Sequence, residues 1–591
     1  MLKKLSLLLL VISTYIYSTP IISIKSNKLK LISKSFPYIY GRKAKSVYLL
    51  GEKKVLKDLE NHNIEYRIVS NSEKKYEMER KSIISNENFV KYDEIKDKID
   101  ELVLRYPNII EKIVIGKSVE GREIIGIKTI MNTMSPKYRI VGGIHGNEAM
   151  SYQFVFDFMV YLIENNKKYL DIINNTQIYF IPMLNPDGAV NITRRNSNNI
   201  DLNRNLGFFW KEIIYSGEDV FTEPETIALR DFTLTENFTM SFSFHTFGDI
   251  INYVWNFSPD KVPDTYEILK ISKIYESFTN YKVTEGYDWY QTTGDLNDYS
   301  YGTRGTLDWT IEIDDSDPKG ELFENNKNAL IEILETYQYG VEGVIYDNNN
   351  LPLNASIIID GNSLFYSNNN GYFYRYLLNG LHHIKVIAEG YDIYEDFIKV
   401  DNDKPFLKIH LIKSKKNDTL FIDRIISVKA EFNKYDYFNV LLPENLLFYP
   451  DDKYFYLPFK GEVMVELPLL YEDKLLEIKF LNYFDINLKI EGYDDLNGES
   501  LFSKNYNKET LINITKNIRY LKIINESLAD STFMDSILLK DDIVNDNDND
   551  YVYKGSALCS FNNINNNNLF ILLFFILSVF IFKRRKYIEK K

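Results

Sequence analysis

Histidine is scarce in this 591-residue chain: the six are His62, His145, His245, His382, His383 and His410. One opens the string His145-Gly146-Asn147-Glu148, directly after the apolar run Ile140-Val141-Gly142-Gly143-Ile144 and before a helical pattern. That is a strand end opening into a helix, where open α/β sheets carry their active sites. The pair alone is weak evidence, because acids are 83 of 591 residues and a chance match among six histidines is better than even. His245, in Ser241-Phe242-Ser243-Phe244-His245-Thr246, ends a second apolar strand run, and parallel strands would place it at the same edge as His145. Two His and one Glu leave a fourth position open for water, the donor set of a catalytic rather than a structural zinc. Cys559 is the only cysteine, which excludes cysteine-based zinc sites and any intramolecular disulfide.

The elements that must position these groups can be read from periodicity. From 86 to 338, short apolar runs alternate with longer helical patterns, as in Tyr138 to Ile144, the helix at Met150 to Glu164, and Gln177 to Met183. This predicts an α/β architecture with a largely parallel core sheet. Upstream, 19–85 reads as a small α+β unit, with Ser46 to Leu50 and Glu65 to Val69 as strands around a helical pattern at Lys53 to His62. After Glu335 the pattern becomes short strands with Gly and Asn turns, which predicts a small all-β sandwich over 339–413. A further β-rich stretch covers 414–540, and an Asp/Asn-rich linker covers 541–568.

The two ends carry targeting signals. Lys3 and Lys4 precede the apolar run Leu5 to Ile12, the layout of a secretory signal peptide over 1–18, so the chain is expected to be exported. The uncharged run Leu569 to Phe582 is followed by Lys583, Arg584, Arg585 and Lys586, a membrane stop with a basic cytoplasmic tail over 583–591. Its 14 residues span about 21 Å as a helix, short of the ~30 Å hydrocarbon core. A short apolar segment with a basic tail, preceded by Cys559, also resembles C-terminal sorting tails that are cut and anchored. The formal charge of −13 argues against a nucleic-acid partner, since no basic face is concentrated anywhere.

An ordered series of motifs within 86–338 resembles the zinc carboxypeptidase family: Ile115-Gly116-Lys117-Ser118-Val119-Glu120-Gly121-Arg122, His145-Gly146-Asn147-Glu148, Asn185-Pro186-Asp187-Gly188, Asp201-Leu202-Asn203-Arg204-Asn205, His245-Thr246-Phe247 and Thr310-Ile311-Glu312-Ile313. Leu206 stands where an aromatic is common and Phe247 where Tyr is common. The resemblance implies a mixed α/β sheet with helices on both faces, followed by small β sandwiches, and one zinc per chain on His145, Glu148 and His245. The metal lowers the pKa of its bound water toward ~7, and Glu312 is the implied general base and acid. Arg194 is the implied oxyanion donor, in preference to Arg195. Asn203 and Arg204 are implied to bind the substrate's free α-carboxylate, for which a planar guanidinium suits better than Lys. Tyr290 is implied to close over the substrate terminus, and Arg122 is a further substrate-binding candidate. The spacing from Tyr290 to Glu312 maps the side-chain pocket floor onto Asp295, Leu296 and Asn297, with Thr310 nearby. This predicts a broad pocket that accepts apolar, aromatic and basic residues and rejects Asp and Glu.

The β unit at 339–413 resembles the transthyretin-like modules that follow such domains, on Gly343-Val344, Pro352-Leu353, Ala355, Gly371-Tyr372 and Ala388-Glu389-Gly390-Tyr391. The 19–85 unit is similar in layout to a carboxypeptidase propeptide. Together these features predict an exported or cell-surface zinc-dependent metallocarboxypeptidase acting on peptide or protein C-termini and tethered to a membrane by its tail. The same chemistry could instead act on cell-wall peptides, which also end in carboxylates. A non-catalytic surface binding protein is a third reading, disfavoured by the completeness of the residue set.

Overall fold

The computed structural model describes residues 19–541, apart from 26–27, 29–38, 44–45, 74, 76–88, 247, 314–319, 361–362, 389, 403, 415–419, 422–423, 430–454, 459–461, 472–473, 481–487, 507–509, 515–517 and 526–530. The expected leader over 1–18, the linker beyond its first residue, the apolar run Leu569 to Phe582 and the basic tail lie outside the described residues. Among those described, no helix is long and apolar enough to cross a membrane.

The chain starts with a four-stranded antiparallel sheet made of β1 (Ile21–Lys25), β2 (Ile39–Lys43), β3 (Ser46–Leu50) and β4 (Arg67–Ser70), in the order β2-β3-β1-β4. Helix α1 (Lys53–Asn61) lies between β3 and β4 in sequence. Its Val55 and Leu59, four residues apart on one face, bury with Ile22, Ile24, Val47 and Leu49 in a small separate core.

The central domain opens with α2 (Tyr92–Arg105), β5 (Ile110–Lys117), β6 (Glu123–Thr129), β7 (Lys137–Val141), α3 (Ala149–Glu164), α4 (Leu170–Asn175), β8 (Gln177–Ile181) and α5 (Pro186–Asn191). It continues through α6 (Pro224–Glu236), β9 (Met240–Thr246), β10 (Ile250–Tyr253), α7 (Thr265–Thr279), β11 (Lys282–Glu285), α8 (Gly286–Trp289), α9 (Leu296–Arg304), β12 (Leu307–Ile313) and α10 (Glu321–Leu334). Eight strands form one sheet in the order β11-β10-β12-β9-β7-β8-β6-β5. The sheet is mixed, as expected, with a parallel core: β12, β9, β7 and β8 run parallel, while β10 runs antiparallel to β12 and β6 runs antiparallel to both β5 and β8.

Strand alternation decides what each face meets. On one face, Phe244 packs on Phe154 of α3 with ring centres 4.7 Å apart, and Phe242 stacks on Trp309 at 5.0 Å. The Trp309 indole donates to Ser272 of α7 at 2.9 Å. The opposite face carries Ser241, Ser243 and His245, in register with Asp308, Thr310 and Glu312. There Arg139, in register with Ser241, donates to Ser300 of α9, Thr233 of α6 and the Asp308 carboxylate at 2.9 Å. Helices therefore cover both faces, an apolar one and a polar one. The buried guanidinium is tolerated because its charge and hydrogens have partners.

Seven strands follow in two small sheets. Strands β13 (Val341–Tyr346), β16 (Tyr372–Arg375) and β19 (Phe406–His410) form one, and β14 (Ser356–Ile359), β15 (Ser363–Tyr366), β17 (Gly380–Ile387) and β18 (Tyr394–Val400) form the other. Their inward side chains, among them Val341, Ile345, Ile357, Val386 and Ile409, make a core of their own. Arg375 joins this unit to the central domain through the Gly305 carbonyl and Asp264, so it abuts the C-terminal end of α9. Between 420 and 541 come two further five-stranded antiparallel sheets.

Candidate active site

His145 and Glu148 sit in the turn between β7 and α3, and His245 is one residue from the end of β9. All three side chains are buried, and one donor atom from each lies within 4.8 Å of the others. A carboxylate oxygen of Glu148 lies 2.9 Å from His145 Nδ1, and the other lies 3.1 Å from His245 Nδ1. The turn is held tightly: a Cβ on Gly146 would fall 1.9 Å from the Gly188 carbonyl carbon, so only glycine lets the two loops touch.

The far imidazole nitrogens are also engaged. His145 Nε2 lies 3.1 Å from Asp201 Oδ1, and His245 Nε2 lies 3.3 Å from Ser243 Oγ. Outer contacts of this kind fix ring orientation and leave both Nδ1 atoms turned toward the Glu148 carboxylate. Burial pushes His245 below its ordinary pKa, favouring the neutral form that a metal ligand needs. Burial would raise Glu148, but the two imidazoles outweigh it and hold the carboxyl well below its usual range. Two neutralisable imidazoles and one carboxylate, converging and already oriented, fit a divalent zinc ion.

Asp201 is the hub of the neighbouring groups. Its Oδ1 accepts from the Asn203 backbone N–H at 3.0 Å, capping a short turn over Leu202–Arg204, and its Oδ2 accepts from Arg194 Nε at 2.9 Å. Arg194 Nη1 also reaches Glu148 Oε1 at 3.2 Å. Burial opposes the charge on both partners, but the pairing wins: Asp201 is held well below the ordinary range and Arg194 is raised. Arg195 turns the other way, to Glu73 and over the Tyr215 ring.

Register brings the remaining groups alongside. Glu312 pairs with His245 across β12 and β9, and Gly248 stands close enough that a Cβ there would lie 3.0 Å from that of Glu312. Asn203 Oδ1 accepts from the Leu296 backbone N–H at 3.0 Å, tying the carboxylate-binding candidates to the start of α9. His145, Glu148, Arg194, Asn203, Arg204, His245, Tyr290, Asp295, Asn297 and Glu312 all line one cleft. Burial raises the Tyr290 phenol, which also packs against the core of the N-terminal sheet.

Two expectations need correction. Arg122 is not among the residues lining the cleft: its Nη1 lies 2.6 Å from Glu120 and 2.7 Å from the fully buried Asp187, so it braces the Asn185-Pro186-Asp187-Gly188 turn. Leu296 is not a pocket wall either, because it turns into the main hydrophobic core. The groups beside Asn297 and Thr310 are instead Asn252 and Asn256, neither of which was singled out from the sequence. Asp295 caps α9 by accepting from the Asp298 N–H, and it also accepts from Thr292 Oγ1 and Asn256 Nδ2. A polar residue in the apolar run Ile250-Ile251-Asn252-Tyr253-Val254-Trp255 was the available signal, since a buried amide needs a partner or a ligand.

A buried two-His, one-Glu triad at strand ends, with an arginine beside it and a carboxylate in register, has the donor set and neighbours that a zinc-dependent hydrolase uses. Residues 95–338 match the zinc carboxypeptidase family, so this stretch of the chain is a zinc carboxypeptidase domain. The chain is 26% identical over 392 residues to the carboxypeptidase N catalytic chain of Homo sapiens, covering 55% of this chain and 86% of that one. It is 27% identical over 336 residues to carboxypeptidase D of Homo sapiens, covering 49% of this chain but only 24% of that protein's length. Among solved structures, the carboxypeptidase A of Helicoverpa armigera aligns with 17% identity and a TM-score of 0.45, over 54% of this chain and 98% of that one.

Proposed function

We propose that this chain removes single residues from the C-termini of peptides outside the cytoplasm, using one zinc ion per chain held by His145, Glu148 and His245. The observation that carries this reading is the cleft itself, in which the metal-binding triad, Glu312 and the Asn203–Arg204 pair face one space. A bound zinc ion at such a triad supplies an activated water and polarises a carbonyl. Arg204 and Asn203 hold the substrate's terminal carboxylate, which fixes the scissile bond one residue from the end. Glu312 accepts the proton of the attacking water and passes it to the leaving amine. Arg194, kept charged by Asp201, faces the negative charge that develops on the carbonyl oxygen. Tyr290, which also lines the cleft, closes over the substrate terminus.

The 19–85 unit acts on this reading as a cover, since Tyr290 packs on its core and Ile214 and Tyr215 pack on Ile21 and Leu50. Export rests on the Lys3-Lys4 start and the apolar run after it, and tethering rests on Leu569 to Phe582 with its basic flank. The test is incubation of defined peptides with the enzyme, with and without chelator, read by mass spectrometry. Loss of one C-terminal residue that chelation stops is expected. Cleavage within the peptide, or from its N-terminus, would overturn the reading.

A further inference from the structure

Part of the cleft lining is amide in chemistry: Asn252, Asn256 and Asn297. Asn252 Oδ1 accepts from Asn297 Nδ2 at 3.0 Å, and Asn256 Nδ2 donates to Asn297 Oδ1 at 2.8 Å. Asn252 Nδ2 donates to Asn256 Oδ1 at 3.3 Å, which closes a ring of three carboxamides. All three are buried, at 5% exposure or less. Thr310, in register with Asn252, adds a hydroxyl.

The ring does not exhaust its own capacity. A carboxamide has two N–H donors and an oxygen with two lone pairs. Among the described contacts, Asn252 and Asn297 each use one donor and one acceptor side within the ring, while Asn256 Nδ2 is committed to Asp295 and Asn297. The pocket therefore offers both donors and acceptors to whatever enters.

We propose that this pocket selects a C-terminal residue with a carboxamide side chain, glutamine or asparagine, held by Asn252 and Asn297. The inference rests on the carboxypeptidase reading and names its substrate class. An aliphatic side chain would meet amides, with the Trp289 and Tyr290 rings as the apolar lining among the described residues, and would leave buried polar groups unpaired. A cationic side chain would find Asp295, the one lining carboxylate among the described residues besides the Glu148–Glu312 centre, already accepting from Asn256, Thr292 and the Asp298 N–H. An acidic side chain would face Asp295 with Asp298 behind it. A carboxamide matches both halves of what Asn252 and Asn297 present.

The test is a peptide series differing only in its last residue, with kcat/KM measured for Gln, Asn, Leu, Phe, Lys and Glu. Gln or Asn is expected to exceed each of the others by about tenfold or more. Asn252→Leu and Asn297→Leu should reverse the Gln-to-Leu ratio. Asn297→Asp, nearly isosteric, should move the preference toward Lys, and unchanged zinc content in each variant shows that the site is intact. Release of Leu, Phe or Lys as fast as Gln by the wild type would overturn the inference and leave the carboxypeptidase reading standing. An unchanged ratio in all three variants would do the same. Failure to release any C-terminal residue would overturn both.

Discussion

His145 Nε2 lies 3.1 Å from Asp201 Oδ1, and the second oxygen of the same carboxylate accepts from Arg194 Nε at 2.9 Å. One buried acid thus orients the imidazole proposed as a zinc ligand and holds the neighbouring guanidinium, while capping the turn that carries Asn203 and Arg204. Replacing it should disturb the site without removing any ligand. Asp201→Asn is expected to weaken zinc binding by about 10–100-fold, measured by competition with a chromophoric chelator. Unchanged affinity would show that His145 is oriented by the β7–α3 turn alone.

The same carboxylate sets an acid limit on stability. Its pKa is depressed in the folded chain, so its contribution is fully present above the unfolded value of about 3.9 and is lost as the pH falls through the folded one. Glu148 shifts in the same direction. Thermal unfolding of the chelated protein from pH 7 to pH 3 should therefore show Tm falling below about pH 4. The fall should be shallower in Asp201→Asn, and an identical slope would contradict the assignment.

On the same sheet face as His245, Arg139 and Asp308 form a fully buried ion pair at 2.9 Å. Burial lowers the Arg139 pKa and raises that of Asp308, so each depends on the other to remain charged. Arg139→Met should cost about 3–5 kcal/mol in denaturant unfolding, because Asp308 is left without its counter-charge. The double variant with Asp308→Leu should recover much of that loss; additive losses would mean that the pair is not coupled.

Asp295 lies on the expected pocket floor, where its carboxylate would meet a cationic substrate side chain, but its oxygens are taken by the α9 cap, Thr292 and Asn256. Asp295→Ala should lower stability by about 1 kcal/mol. It should also reduce kcat/KM by similar factors for C-terminal Gln, Leu and Lys. A loss confined to Lys would restore the direct role.

What the sequence made legible was whatever lies in a contiguous motif. His145 and Glu148 are three residues apart, Asn203 and Arg204 are adjacent, and Thr310-Ile311-Glu312-Ile313 carries its own strand pattern. The amide pocket was not legible, because Asn252, Asn256 and Asn297 meet only through the pairing of β10 with β12 and the docking of α9. Leu296 was misplaced for a related reason. Its neighbours Asp295 and Asn297 do face the cleft, but a helix start turns each successive side chain by about 100°, so adjacency in sequence does not mean a shared wall. Arg122 sits in a motif beside the site, yet Glu120 and Asp187 take its guanidinium, a competition that no local pattern reveals.

The most direct measurement is mass spectrometry of one defined peptide incubated with the wild type and with Glu312→Ala, alongside the zinc content of each. The account predicts that the wild type removes a single C-terminal residue. It also predicts that Glu312→Ala keeps its zinc while turnover falls by about 10²–10⁴-fold. Near wild-type turnover in zinc-loaded Glu312→Ala, or products that retain the original C-terminus, would contradict it.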